Sequence, residues 1–213
     1  MSKRASFWAP SGRIEAERRT SRARLCERAE RANARQASNQ MTVTLRHVPQ
    51  LAPEVATFKD AMRRLVGGVS VITAGTGESR TGLTVTSATS LSVDPPTMLV
   101  CVNRAASAWP VIRREGRFCV NILAARHQHI ADRFTGRDGV KGIDRYEGAR
   151  WRQSSTGAFG LEDALAVIDC AVEETLERHS HGVIIGAVQA IHIGAGSEAL
   201  VYGHGRYRTL SLD

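Results

Sequence analysis

Apolar residues along this chain fall into two periods. From Glu54 to Val66, Val55, Phe58, Met62 and Leu65 recur at helical spacing, so this stretch is predicted to be an amphipathic helix that ends at Gly67-Gly68. Beyond it the pattern changes to runs of four to thirteen residues separated mostly by Gly, Pro and Ser. Val69–Thr73 is a β-branched strand, and Gly75–Ser79 is a Gly-rich turn that folds it back as a hairpin. Thr81–Asn103 reads as two strands joined at Pro95-Pro96. Ala106–Glu115 is a short helix stopped by Gly116, Arg117–Leu123 an apolar strand broken only by Asn121, and Arg126–Phe134 another short helix. Residues 135–160 are loop-rich, with Trp151 in their midst.

Two long strands, Ala164–Leu176 and Val183–Ile193, pair across the turn Arg178–Gly182. In the first, Ile168, Cys170 and Val172 alternate with Asp169, Ala171 and Glu173, which predicts one face in and one face out. Ala199–Tyr202 is a final short strand before Gly203, Gly205 and the polar tail Arg206-Tyr207-Arg208. Six or seven closely spaced strands with three short helices predict a mainly β protein, an antiparallel β-barrel with short flanking helices. Strands do not alternate with long helices, which argues against a doubly wound parallel sheet.

Charge changes the picture only at the N-terminus. The chain of 213 residues carries a formal net charge of +8. Residues 1–40 hold ten Lys/Arg and four acids, or +6, which leaves +2 for the rest. The basic character therefore belongs to an Arg-, Ala- and Ser-rich arm, read here as disordered or loosely helical, and says little about what the core binds. An arm that binds nucleic acid is a rival reading, and it predicts salt-dependent binding lost with residues 1–40. The abrupt shift at Met41 raises another, in which translation begins there. No apolar run approaches the ~20 residues of a membrane helix, and no secretory h-region is present. Cys26, Cys101, Cys119 and Cys170 lack CxxC spacing, and three sit in apolar runs. They read as reduced thiols of a cytoplasmic protein.

The candidate chemistry concentrates at Thr81–Ser92, where Thr81, Thr84, Thr86, Ser87, Thr89, Ser90 and Ser92 crowd one strand and its exit. With Gly82 among them, these hydroxyls would let a planar polar ligand lie close to the backbone. Gly75-x-Gly77 and Gly203-x-Gly205 lack the third Gly of a Rossmann turn. P-loop, GxSxG and HExxH motifs are absent. His127/His129 and His179/His181 form HxH pairs without further ligands at metal spacing, so no metal is expected, and the first pair reads as a solvated helix surface. His181 stands out because it lies at a turn between two long strands, at a barrel rim. Asn121 is either a backbone tie or a ligand contact. Arg104 and Ser107 form a donor cluster at a helix start, either a phosphate seat or an ordinary cap. Trp109 either packs on a bound ring or staples its helix.

Together these pieces resemble a known family. Phe58-Lys-Asp-Ala-Met62, Gly68-Val-Ser-Val-Ile-Thr73, Gly82 through Ser92, Asp94-Pro-Pro96, Cys101-Val-Asn103, Arg117-Phe-Cys-Val-Asn-Ile-Leu123 and His181 occur in the order and spacing of the short-chain flavin reductases. These are the reductase components of two-component flavin monooxygenases, and the resemblance spans Thr57 to Leu210. It implies a split-barrel domain, placed here over 46–213 after the basic arm of 1–45 that the family does not explain, and this domain homodimerises with flavin held between subunits. It implies NAD(P)H:flavin oxidoreductase activity, with FMN or FAD, NADH or NADPH, and an oxygenase that receives the reduced flavin. By position, Val85, Thr86, Ser87 and Ala88 would line the isoalloxazine and ribityl chain. Asn103, Arg104 and Ser107 would approach the flavin phosphate, Phe134 would lie near the flavin, and His181 would stand beside the nicotinamide. Where the family has Gly-Asp-His or Gly-Thr-His, this chain has His179-Ser180-His181. A non-catalytic flavin- or haem-binding split barrel and a pyridoxamine-phosphate-oxidase-like enzyme are the rivals of the same architecture.

Overall fold

The computed structural model describes residues 54–213; the basic arm, Cys26 and Met41 lie outside them. Helix α1 (Val55–Arg64) forms where the 3.6-residue period predicts it, yet none of its residues is buried. Phe58 is 56% and Leu65 69% exposed, so the apolar face has no cover among the described residues.

The centre is a seven-stranded antiparallel sheet. Its strands are β2 (Ser70–Ala74), β3 (Thr81–Val85), β4 (Thr89–Val93), β5 (Pro96–Asn103), β6 (Arg117–Ile122), β9 (Ala166–Arg178) and β10 (His181–Ile193), in the order β3-β2-β6-β9-β10-β5-β4. The predicted hairpins β2–β3 and β9–β10 are both present. Residues 81–103 make three strands rather than two, because the chain also breaks at Thr86–Ala88 before turning at Asp94-Pro95.

β3 and β4 end the sheet order, with β5 beside β4, yet Val85 of β3 and Val100 and Val102 of β5 share one core with Ile72, Phe118, Val120, Cys170 and Ile184. The sheet therefore curls into a barrel that is split between those ends. Ser87 spans the split: its hydroxyl donates to the Cys101 carbonyl at 2.9 Å and accepts from the Cys101 N–H at 3.3 Å. Helix α2 (Ala108–Glu115), stopped by left-handed Gly116 at φ 64°, seats Trp109 in this core. A Cβ at Gly182 would lie 2.1 Å from the Trp109 ring, so the indole lies flat on the β10 backbone. Trp109 is a staple.

A second core covers the outer face. Helix α3 (Gln128–Thr135), the 3-10 turn Gly142–Tyr146 and a small hairpin of β7 (Trp151–Gln153) and β8 (Phe159–Leu161) bring Phe134, Tyr146, Trp151 and Leu161 against Val71, Cys119 and Val167. Phe134, Tyr146 and Trp151 pack with centroids 4.9–5.5 Å apart. Burying each such ring stabilises the fold by about 1.5–3 kcal/mol. Because both faces of the sheet are covered, the predicted one-in, one-out alternation of β9 fails at Asp169, which is buried at 2% exposure. Its Oδ2 accepts from the Ser155 hydroxyl at 2.7 Å and the Thr156 N–H at 2.8 Å, and Thr156 Oγ1 donates to Oδ1. Burial works to raise this carboxyl, but the Thr156 and Ser155 hydrogen bonds outweigh it and hold it below the usual range.

Other expectations change as well. The tail is a strand, β12 (Arg206–Ser211), paired with β11 (Glu198–Gly203), which in turn pairs with the two-residue β1 (Gly67–Gly68). Its alternation turns Tyr207 inward onto Tyr202, with centroids 5.2 Å apart. His127 is buried rather than solvated: its Nδ1 accepts from the Ala124 N–H at 3.2 Å, and its Nε2 lies 3.2 Å from Asp163. Asn121 is a backbone tie. It donates to the Val71 carbonyl (3.0 Å) and Thr73 Oγ1 (3.2 Å) and accepts from the Leu161 N–H (2.7 Å).

Candidate active site

A groove of about 490 Å³ opens beside the split, where the end of β3, the end of β5, the end of α3 and the β11–β12 hairpin meet. That volume suits a cofactor-sized ligand, whereas a cavity of about 210 Å³ beside Ser154, Asp169 and His192 falls short of the ~300 Å³ at which such sites begin. Three further grooves of about 460–480 Å³ are nearly as large, one of them adjoining at Thr86 and Tyr202, so the lining and not the volume sets this one apart. Leu83, Val85, Val69 and Phe134 form an apolar wall, and Thr84, Thr86, Asn103, Thr135, Arg137, Tyr202 and Tyr207 supply the polar lining.

The hydroxyls of β3 are mostly spent inside the protein. Thr84 donates to the Ala131 carbonyl at 2.6 Å, Thr81 pairs with Ser107 at 2.8 Å, and Ser87 is the bridge to Cys101. Gly82 also differs from expectation: a Cβ there would lie 2.7 Å from the Phe134 ring, so Phe134, not a ligand, occupies that space. What the groove offers from this stretch is Thr86, the first residue of the segment Thr86–Ala88 between β3 and β4. Among the described residues the segment's three amides have no backbone acceptor, and the Thr86 hydroxyl has no partner.

Val85, Thr86, Asn103 and Phe134 thus line one groove, while Ser87 and Ala88 lie behind it at the split and against the barrel core. Asn103 Oδ1 accepts from the Ala105 N–H at 2.9 Å, which tightens the turn into α2. Arg104 and Ser107 lie outside the lining. Arg104 pairs with Glu177 at 2.8 Å and donates to the His179 carbonyl at 3.2 Å, while its own N–H donates to Ser180 O at 2.9 Å. It braces the β9–β10 turn. Ser107 Oγ lies on Thr81, with Arg145 at 3.4 Å.

His181 opens β10 directly opposite Asn103 in the ladder. Such partners are about 5 Å apart between Cα atoms, so His181 is the ladder neighbour of a lining residue while standing outside the lining itself. The ring is exposed, with Ser180 Oγ at 2.9 Å from Nδ1. The two-residue turn demands a left-handed residue, and His179 takes it at φ 50°.

Sequence reasoning missed Arg137, Tyr202 and Tyr207. Arg137 follows the left-handed cap Gly136 (φ 71°), which turns the chain back into the groove. Burial raises the Tyr207 phenol to about 12; Asp132 adds to the rise and Arg137 opposes it. The Gly-x-Gly punctuation around His204 was the available signal for the Tyr202/Tyr207 hairpin. Among the described residues, no group of three or more His, Cys, Asp or Glu could hold a metal ion.

The profile of the flavin reductase-like domain family matches residues 62–211. An FMN reductase (NADH) RutF of Agrobacterium fabrum is 39% identical over 153 residues, 72% of this chain and 87% of that protein. BorF, the flavin reductase component of a bacterial two-component tryptophan halogenase, superposes with TM-score 0.68 at 30% identity over 73% of this chain and 98% of its own. Nitrilotriacetate monooxygenase component B from Mycobacterium thermoresistibile does so with TM-score 0.67 at 31% identity, over 73% and 86%.

Proposed function

Since this chain belongs to the flavin reductase-like family, we propose that it is an NAD(P)H:flavin oxidoreductase that reduces FMN with NADH and passes the reduced flavin to a separate oxygenase. The observation that carries this reading is the groove beside the split, sized for a cofactor and edged by Thr86, whose amide and hydroxyl have no partner among the described residues. A flavin ring is flat, apolar across its face and studded with acceptors along one edge, and the groove matches both properties. The chemistry that flavin and nicotinamide supply when bound is hydride transfer between them.

The chain's own residues bind, orient and exclude water. Val85, Leu83 and Phe134 offer the apolar wall against which a ring is desolvated. The Thr86 amide and hydroxyl are fixed donors that favour negative charge on the ring edge. Ser87 holds the segment Thr86–Ala88 rigid through its two bonds to Cys101. His181, opposite Asn103, orients the nicotinamide at the rim and holds no proton for transfer. Such placement contributes to rate by pre-paying orientation.

FMN and NADH are chosen because the Agrobacterium relative is named for them, and delivery to an oxygenase because two structural neighbours are components of such systems. An open groove suits a flavin that comes and goes. A second copy of the chain suits the bare apolar face of α1, and the reduced Cys101, Cys119 and Cys170 suit the cytoplasm. Among the described residues no helix is long and apolar enough to cross a membrane. Steady-state NADH oxidation with and without FMN tests the reading: a flavin-dependent rate is expected, and none with either flavin or either nucleotide refutes it. His181→Ala should raise the KM for NADH more than the Kd for FMN; the reverse order removes His181 from its role.

A further inference from the structure

His181 is carried by a two-residue turn, His179-Ser180, between the ladder partners Arg178 and His181. All four of these residues are exposed, so core packing does not fix where the turn sits. His179 holds it at φ 50°, a left-handed conformation that a non-glycine residue adopts only at a cost. Such a tip keeps one position only if other elements grip it.

The grip centres on Glu177, just before the turn. Its Oε2 accepts from Arg104 at 2.8 Å and its Oε1 accepts from Arg113. Among the described residues it is the only acid that pairs with either arginine. Arg104 then reaches the turn itself: its Nη1 donates to the His179 carbonyl at 3.2 Å and its backbone N–H to the Ser180 carbonyl at 2.9 Å. Arg113 is braced from the other side, with its guanidinium 5.6 Å from the centroid of the buried Trp109 ring, the same ring that lies on Gly182. Ser180 Oγ, 2.9 Å from His181 Nδ1, ties the imidazole to the turn.

Arg104 precedes α2 and Arg113 stands in its last turn, and α2 buries Ala108, Trp109, Val111 and Ile112. A tip without a core of its own is thereby fastened to an element that has one. The two ion pairs are half-exposed and add little to stability. What two pairs from two directions supply is position, because the carboxylate cannot follow one arginine without leaving the other.

We infer that Glu177 is a positioning residue: by joining Arg104 to Arg113 it fixes the turn that presents His181, so that use of the nicotinamide nucleotide depends on this clasp while flavin binding does not. The assignment rests on the reading of His181 as the residue that orients the nicotinamide.

The test is steady-state NADH oxidation by the full-length protein at saturating FMN, beside a flavin-fluorescence titration with FMN. Glu177→Gln keeps the shape and removes the shared acceptor charge; Arg113→Gln removes one partner and touches neither the turn nor His181. The two changes move the net charge in opposite directions, so an effect of charge alone would move the NADH KM in opposite senses. With the clasp as the cause, both should raise that KM by about threefold to tenfold. The FMN Kd should stay within about twofold, and Arg113→Lys should recover part of the loss. In a His181→Ala background either change should add less than about twofold, because the side chain it positions is gone. KM shifts of opposite sign, no shift in either variant, a full further shift on top of His181→Ala, or an equal rise in the FMN Kd overturns the assignment. Wild type that oxidises no NADH with either flavin sinks the underlying reading instead, an outcome distinct from an unchanged KM in an active Glu177→Gln.

Discussion

Behind the central sheet, Asn121, Thr73 and Asp169 are buried in an otherwise apolar layer, and each meets protein partners at hydrogen-bond distance. At the split, the Thr86 hydroxyl, the Arg137 guanidinium and the amides of 86–88 are just as polar and meet none among the described residues. Residue type does not separate the two regions; satisfaction does. A polar group whose partners are all supplied by the fold holds the fold together, and one left open beside a concavity is available to a ligand.

Phe134 belongs to both regions, since it fills the space over Gly82 and also walls the groove. Phe134→Ala should therefore have the largest effect, about 3–5 kcal/mol of stability by urea unfolding, together with weaker FMN binding. Loss of one property without the other would break the comparison at its shared residue. Asn121→Ala should cost about 2–3 kcal/mol, because it strands the Leu161 N–H and the Val71 carbonyl in the interior; FMN affinity of the folded fraction should not move.

pH probes the satisfied set alone. Burial holds the His127 imidazole below its ordinary value, in spite of Asp163. The unfolded chain then binds more protons than the native one, so this contribution is fully present above the unfolded pKa near 6.5 and is lost as pH falls through it. Asp169, depressed by its donors, acts with the same sign about three units lower: its contribution is present above its unfolded value near 3.8 and lost below it. Tm should thus fall from pH 7 to 5.5, with a smaller fall in His127→Gln; an equal fall in both proteins would remove His127 from the account.

His179→Gly relieves a left-handed non-glycine residue and should stabilise the β9–β10 turn by about 1 kcal/mol, with the NADH KM little changed. The smallest stability effect belongs to Thr86→Val, within ~0.5 kcal/mol because the hydroxyl holds nothing in the fold. FMN Kd should nevertheless rise about threefold, the weight of one modest hydrogen bond, in a calorimetric titration.

Much of the scaffold was legible because it rests on local pattern. The β9–β10 hairpin declares itself in two β-branched runs around a polar turn, α2 in its Gly116 stop, and the barrel in the close spacing of the strands. The second layer was not. β7, β8 and β12 are short and Gly- or Arg-rich, and they become strands only because the outer face of the sheet and the β11 edge wait for them. The same layer buries Asp169 and His127, whose sequence positions read as solvent-facing. At the site, the resemblance pointed to Val85, Thr86, Asn103 and Phe134, which share the groove, and to Arg104 and Ser107, which lie outside its lining.

Taken alone, the amino-acid sequence determined the long strands of the central sheet, the family and the hydroxyl-rich stretch around Thr86, because hydrophobic period, turn residues and ordered motifs are properties of neighbours along the chain. Only the tertiary structure decided which of those hydroxyls are used up, which arginine faces the groove and which is tied to Glu177. Hydrogen-bond capacity is finite, and whether a group has spent it depends on elements as far away in sequence as Asn121 is from Val71.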